Sequence, residues 1–326
     1  MPAARLVSAA MTLRIADRWI WDFWTVTQGS DVHAFYLQAP RALGDADLRH
    51  SNATIGHAVS SDLERWEILP DALAPGAPGN FDDRSTWTGS IIAHDGVWQM
   101  LYTGTSSVED GLVQRVGLAT STDLHIWSRH PEPVFEADSR WYELLDRDAW
   151  HDQAWRDPWV FRVPGDEAAH AYVTARANDG DPKGRGVIGH ARSHDLVHWE
   201  VLPPVTEPMG FGQMEVPQLV EAGGRFHLLF SSDPSTRSDA LGLLGSGTYS
   251  LSGPTPFGPF DPATLHELDA GPHHVTYAGR VVPHRDARWF LAWIGYQDSE
   301  TFLGELAPPR AVAVDSDGTL TLEQPR

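Results

Sequence analysis

The sequence predicts an all-β chain, a five-bladed β-propeller with four-stranded antiparallel blades. Three observations predict it. First, a phrase of the form G-x-A-x-S-x-D-L-x-x-W occurs three times: GHAVSSDLERW at 56–66, GLATSTDLHIW at 117–127 and GHARSHDLVHW at 189–199. A phrase recurring at such intervals marks one supersecondary unit used repeatedly. Second, five segments read as two apolar runs joined by a turn rich in Gly, Asp or Pro, the pattern of a β-hairpin. Third, the residues leading these hairpins, Asp22, Trp87, Asp157, Glu215 and Tyr277, lie 65, 70, 58 and 62 residues apart. Four strands in about 60 residues is the size of a propeller blade. An open solenoid is the runner-up, but its units run to roughly 20 to 45 residues.

The hairpins are WDFWTVTQGSDVHAFYLQ (21–38), WTGSIIAHDGVWQMLYTG (87–104), RDPWVFRVPGDEAAHAYVTAR (156–176), EVPQLVEAGGRFHLLFSS (215–232) and YAGRVVPHRDARWFLAWIG (277–295). Their first runs are β-branched and apolar, and their second runs alternate aromatic and small residues, as strands do. The repeated phrase then supplies a third strand, a turn at Ser-x-Asp-Leu, and a fourth strand starting near the Trp. In that turn Asp62, Asp123 and Asp195 accept backbone hydrogen bonds. A residue present in every copy is a poor candidate for chemistry done once. After the fourth hairpin the phrase degrades to GSGTYSLSGPTPFGPF (245–260). No linker interrupts the pattern, so residues 15–326 are read as a single propeller and 1–14 as a flexible leader.

Composition excludes several function classes. The formal charge is −20, and nucleic-acid binding needs basic surface to displace phosphate counterions. There are no cysteines, hence no disulfide or thiolate chemistry. No apolar run is long enough to span a membrane. The opening MPAARLVSAAM is too short and polar for a secretion signal, so a cytoplasmic location is expected. The 14 Trp, 12 Phe and 7 Tyr serve as inter-blade core or as a sugar-stacking surface. The oligomeric state is not legible.

The innermost strand of each propeller blade lines the axial channel, and three of the five leading residues are acidic: Asp22, Asp157 and Glu215. Three carboxylates converging in an aromatic pocket repel one another, so at least one proton affinity is expected to rise. That arrangement suits acid and nucleophile roles in glycoside cleavage. The plainer reading, an acid satisfying turn amides, must be invoked three times over.

These residues resemble the clan of five-bladed propeller enzymes that process fructans, glycoside hydrolase families 32 and 68. The resemblance spans roughly residues 15–300. It is carried by WDFW (21–24), HAFYLQAP (33–40), GHAVSSDLERWEILPDALAP (56–75), WTGS (87–90), YTG (102–104), WHDQAWRDPWVF (150–161), MEVPQL (214–219) and YAGR (277–280). It implies a retaining glycoside hydrolase acting on β-fructofuranosides such as sucrose, fructo-oligosaccharides or fructans. It makes Asp22 the nucleophile, Asp157 the transition-state stabiliser and Glu215 the acid/base. Fructose-holding positions fall on Trp21, Gln38, Trp87, Thr88, Arg156 and Tyr277. Arg156 is equally readable as a structural ion pair, and Trp24 as core.

Three departures stand out. The first motif is Trp-Asp-Phe-Trp, closer to family 68 than to family 32. Val216 stands where a Cys is usual. The chain ends after the fifth blade, without the C-terminal β-sandwich usual in family 32, which points to a reduced enzyme or one relying on oligomerisation. An inverting, family 43-like arabinosidase or xylosidase and a non-catalytic carbohydrate-binding propeller stay open, as does fructosyl transfer beside hydrolysis. No catalytic metal and no cofactor are expected: His273 and His274 are adjacent and face opposite ways on a strand, and no His spacing matches a zinc site. His274 is read as a loop residue, with the funnel of blade five as its other placement. His151-Asp152 is a further pocket element.

Overall fold

The computed structural model describes residues 13–238, 241, 245–271, 275–296 and 301–323. Its strands form five antiparallel sheets. Blade I holds β1 (Arg18–Gln28), β2 (Asp31–Pro40), β3 (Thr54–Ser60) and β4 (Glu67–Leu73). Blade II holds β5 (Ser85–His94), β6 (Val97–Thr105), β7 (Gln114–Ser121) and β8 (Ser128–Arg129). Blade III holds β9 (Trp155–Arg162), β10 (Ala169–Arg176), β11 (Gly186–Ser193) and β12 (Glu200–Leu202). Blade IV holds β13 (Glu215–Ala222), β14 (Arg225–Ser232), β15 (Ser246–Gly253) and β16 (Asp261–Gly271). In each blade the strands pair in chain order.

Blade V departs from the expected four strands. It holds β17 (Thr276–His284), β18 (Ala287–Tyr296), β19 (Phe302–Leu306), β20 (Arg310–Val314) and β21 (Leu320–Leu322). β19 and β20 share one edge of β18: β19 pairs with Trp293, Ile294 and Tyr296, and β20 with Trp289 and Phe290. Pro308 and Pro309 fall between them. Proline has no N–H to give a ladder, so one long strand becomes two short ones.

Packing closes the ring. The inner strands β1, β5, β9, β13 and β17 touch their neighbours in that order, and β1 touches β17. The apolar clusters sit in the seams between blades: Trp24, Phe35 and Met100 between I and II; Leu101, Trp155 and Val173 between II and III; Tyr172, Leu228 and Phe230 between III and IV; Val220, Val281 and Phe290 between IV and V; Phe23, Tyr36 and Leu291 between V and I. Leu13 belongs to this last cluster, and its carbonyl accepts from the Leu306 amide. Leu13 and Arg14, expected to belong to the leader, are thus among the described residues, with Leu13 buried at the I–V seam; residues 1–12 lie outside the described residues.

The repeated phrase has one structure in all three copies. Ser60, Ser121 and Ser193 accept from the amides of Leu63, Leu124 and Leu196 through Oγ. Those leucines take φ near +65°, which tips the following turn outward. Asp62, Asp123 and Asp195 then each accept from two further amides. Trp66, Trp127 and Trp199 donate Nε1 back to the same leucines' carbonyls and fill the seam with the preceding blade. The leading Gly is required by close approach: a Cβ on Gly56 would lie 2.4 Å from the ring of Tyr36, its cross-strand partner. His273 and His274 lie outside the described residues.

Candidate active site

Every inner strand slips register near its N-terminal end: at Trp21/Phe23 in β1, Trp87/Gly89 in β5, between Arg156 and Trp159 in β9, Glu215/Gln218 in β13 and Tyr277/Arg280 in β17. A bulge of this kind re-aims the side chain at the slip. The slip residues are Asp22, Thr88, Asp157, Val216 and Ala278. Three of them are strained, with φ of +59° at Asp157, +52° at Val216 and +49° at Ala278. A positive φ at a β-branched residue such as Val216 is rare, and strain of this size, about 1 to 3 kcal/mol per residue, is typically stored at functional sites.

Two rings of residues follow. One is the slip ring just named. The other lies one residue earlier: Trp21, Trp87, Arg156, Glu215 and Tyr277. Asp22 and Asp157 thus occupy equivalent positions, but Glu215 does not. It shares its register with Arg156 and Tyr277, a correction of one residue to the equivalence expected from the sequence. The earlier ring, and Asp22, Thr88 and Asp157 of the slip ring, face a cavity of about 650 Å³ at the mouth of the axial channel, while Val216 and Ala278 are buried in the core. Gln38 is absent from that lining. It is buried, and its Nε2 donates to Thr54 across the β2–β3 pair. Trp24 is core, 1 % exposed and stacked on Phe35.

The carboxylates are held differently. Asp22 accepts from Thr88 Oγ1 at 2.8 Å on one oxygen and from Trp293 Nε1 at 2.8 Å on the other. Burial, then the charge of Asp157, push its pKa up to about 6 against the hydrogen bond from Thr88. Oδ2 of Asp157 accepts from Thr174 Oγ1 at 2.8 Å and from the Val216 amide at 3.2 Å. Burial raises its pKa, opposed chiefly by Arg156. Glu215 is clamped: Arg156 Nη2 donates to Oε1 at 2.5 Å and the Tyr277 hydroxyl donates to Oε2. Arg156 also stands 3.6 Å from Asp157 and bonds Gln114 and Asp152. The rise in proton affinity expected for at least one carboxyl falls on Asp22 and Asp157, each chiefly through burial.

Several lining residues escaped the sequence reading. Trp293 sits in an ordinary strand pattern, and nothing local marks it as a donor to Asp22. Arg49 and His50 reach the cavity from the 3-10 helix Ala46–Asn52. Burial and the charges of Arg49 and Arg156 hold His50 neutral, its pKa lowered to about 3. His151 and Asp152 do line the mouth, and Asp152 accepts from Gln114 Nε2 at 2.7 Å.

The model of the glycosyl hydrolases family 32 N-terminal domain matches residues 25–325. The chain belongs to this family. The sequence had left families 32 and 68 open together, and the model that matches is that of family 32. Among known proteins, the chain is 28% identical over 275 residues to sucrose-6-phosphate hydrolase of Zymomonas mobilis, covering 75% of this chain and 48% of that protein. It is 29% identical over 218 residues to sucrose:sucrose 1-fructosyltransferase of Festuca arundinacea, covering 64% and 30%. The matched region thus spans 30% to 48% of the length of these relatives. Among solved structures, inulosucrase from Halalkalicoccus jeotgali bound to kestose superposes with a TM-score of 0.77 at 20% identity, over 98% of this chain and 92% of that one. This last likeness speaks for the fold.

Proposed function

We propose that the chain is a retaining glycoside hydrolase that cleaves β-fructofuranosides through a covalent fructosyl-enzyme. The observation that carries this reading is the convergence of Asp22, Asp157 and Glu215, from blades I, III and IV, on one aromatic-walled cavity. Asp22 attacks C2 of the fructosyl unit, forming a C2–O bond as the glycosidic C2–O bond breaks. Its two hydrogen bonds, from Thr88 and Trp293, fix the carboxylate's orientation, which a near-attack geometry requires. Glu215 gives its proton to the departing oxygen and later takes one from the attacking water. Asp157 forms no bond to carbon. Its Oδ2 is occupied by Thr174 and Val216, which leaves Oδ1 for fructose hydroxyls whose hydrogen bonds tighten as positive charge develops. Arg156 orients Glu215, and Trp21 and Trp87 form the apolar wall. Names among the relatives include both a hydrolase and a transferase, so a second sugar in place of water is the alternative second step.

The test is release of fructose from sucrose, inulin and levan, with Asp22→Asn and Glu215→Gln as controls. The expected result is release by the native enzyme and its loss in both variants. Sugar binding without turnover by all three proteins would point to a binding module. Release of arabinose or xylose from aryl glycosides, with inversion, would instead point to a family 43-like activity.

A further inference from the structure

Below the two rings, the axial channel holds a cation that the reaction just described does not use. Arg280 follows the bulge of β17 and is 2 % exposed. Its Nη1 donates to the carbonyl of Pro217 on β13 at 2.6 Å, and its guanidinium lies 5.1 Å from the ring centroid of Trp159 on β9. Pro217 and Trp159 each stand two residues beyond Glu215 and Asp157 on their strands. Arg280 therefore lies further along the channel than the carboxylates, beside positions two residues on. Its Nε and Nη2 have no hydrogen-bond partner among the described residues. A charge buried with two idle donors is costly to hold, so packing alone gives no reason to place arginine here.

We propose that Arg280 is a positioning residue whose buried charge keeps Asp22 and Asp157 ionised for the proposed reaction. The charge balance supports this. Asp22 is faced by Asp157 from β9 and Glu215 from β13, by Tyr277 from β17, by Arg49 from the Ala46–Asn52 helix, and by Arg280 from below. Arg156 is spent on Glu215 and Asp152 as well as Asp157. Arg280 is not shared in this way. Burial lowers its own pKa to about 10, and the opposing influences are Asp157 and then Asp22, so it remains charged at neutral pH. A guanidinium with no carboxylate bonded to it acts through the field, and a field between buried charges is weakly screened.

The inference rests on the function proposed above, and the experiment separates the two. Arg280→Met and Arg280→Lys are compared with the native protein by carbon-13 NMR titration of aspartate-labelled samples. The Asp22 carboxyl signal is identified by its loss in Asp22→Asn. This reading needs no catalysis, so it stands even if no fructoside is cleaved. In Arg280→Met the Asp22 midpoint is expected to rise by about one pH unit or more, and the acid limb of kcat/KM on sucrose to move with it. In Arg280→Lys, which keeps the charge, both should stay near native values. An unmoved midpoint in folded Arg280→Met overturns the proposal. Should that variant not fold, a midpoint in Arg280→Lys raised as far as one unit overturns it equally.

Discussion

The two ends of a blade use the same residue for opposite purposes. At the outer turn, Asp62, Asp123 and Asp195 accept backbone amides in the open, and these hydrogen bonds hold their carboxyls below the usual range. At the axis, Asp22 and Asp157 are buried beside like charge and their proton affinity rises. The outer aspartates are identical in three copies because they solve one geometric problem three times. The axial slip ring reads Asp, Thr, Asp, Val, Ala: Asp22, Thr88 and Asp157 face the cavity, while Val216 and Ala278 are packed in the core. Repetition marks where the fold is made, and its failure marks where chemistry becomes possible.

The largest test of this contrast is Asp22→Asn against Asp123→Asn. The first should lower kcat by roughly 10⁴ to 10⁶, measured as fructose release, and the second should leave kcat unchanged. Equal losses would erase the distinction between axis and rim. Next in size, Glu215→Gln should cost roughly 10² to 10⁴ on sucrose and much less on a fructoside with a good leaving group, since only the former needs a proton delivered.

The pH profile sharpens the same point. As the proposed nucleophile, Asp22 has to be ionised, so kcat/KM should fall with unit slope as pH drops through about 6, a limb read from initial rates. Stability runs the other way for this group. A carboxyl whose folded pKa is raised above its unfolded value of 3.8 contributes stability that is complete below 3.8 and lost as pH rises through about 6. Asp22→Asn should therefore melt a few degrees above native protein at neutral pH and show no gain in mild acid, by scanning calorimetry.

Paired histidines set the opposing limit. His33 Nδ1 meets His57 Nε2 at 2.9 Å, and His170 Nδ1 meets His190 Nε2 at 3.0 Å. Burial, then the neighbouring histidine, lower the pKa values of His57 and His190 to about 3. Unfolded chains bind these protons below about 6.5 and the folded protein does not, so stability should fall between pH 6.5 and 3 by up to about 1.4 kcal/mol per histidine per pH unit. His57→Gln with His190→Gln should flatten that fall in urea titrations. The smallest effect belongs to the rim: Asp123→Ala should cost about 1 kcal/mol, the size of a lost cap, with the pH profile unmoved.

The repeat and the alternating runs were sufficient for the blade count, the strand order and the turn role of the three outer aspartates, because strand pairing and turn capping are local. The three carboxylates were also legible, since a hairpin's first residue must face the axis. Their exact register was not. Glu215 sits one place earlier than Asp22 and Asp157, and nothing in Met-Glu-Val-Pro announces where the bulge falls. Gln38 read as a sugar contact by motif, yet its amide turns to Thr54. Trp293, Arg49 and His50 came to the cavity from β18 and from a connector, with no motif of their own.

The amino-acid order alone determined five hairpin-led units, an acid at the head of three of them, and a formal charge of −20, because those properties depend on spacing and count. Tertiary structure alone decided which oxygen meets which donor, and which acid gains a proton. Burial and Coulomb terms depend on distances between blades, and those exist only once the ring has closed.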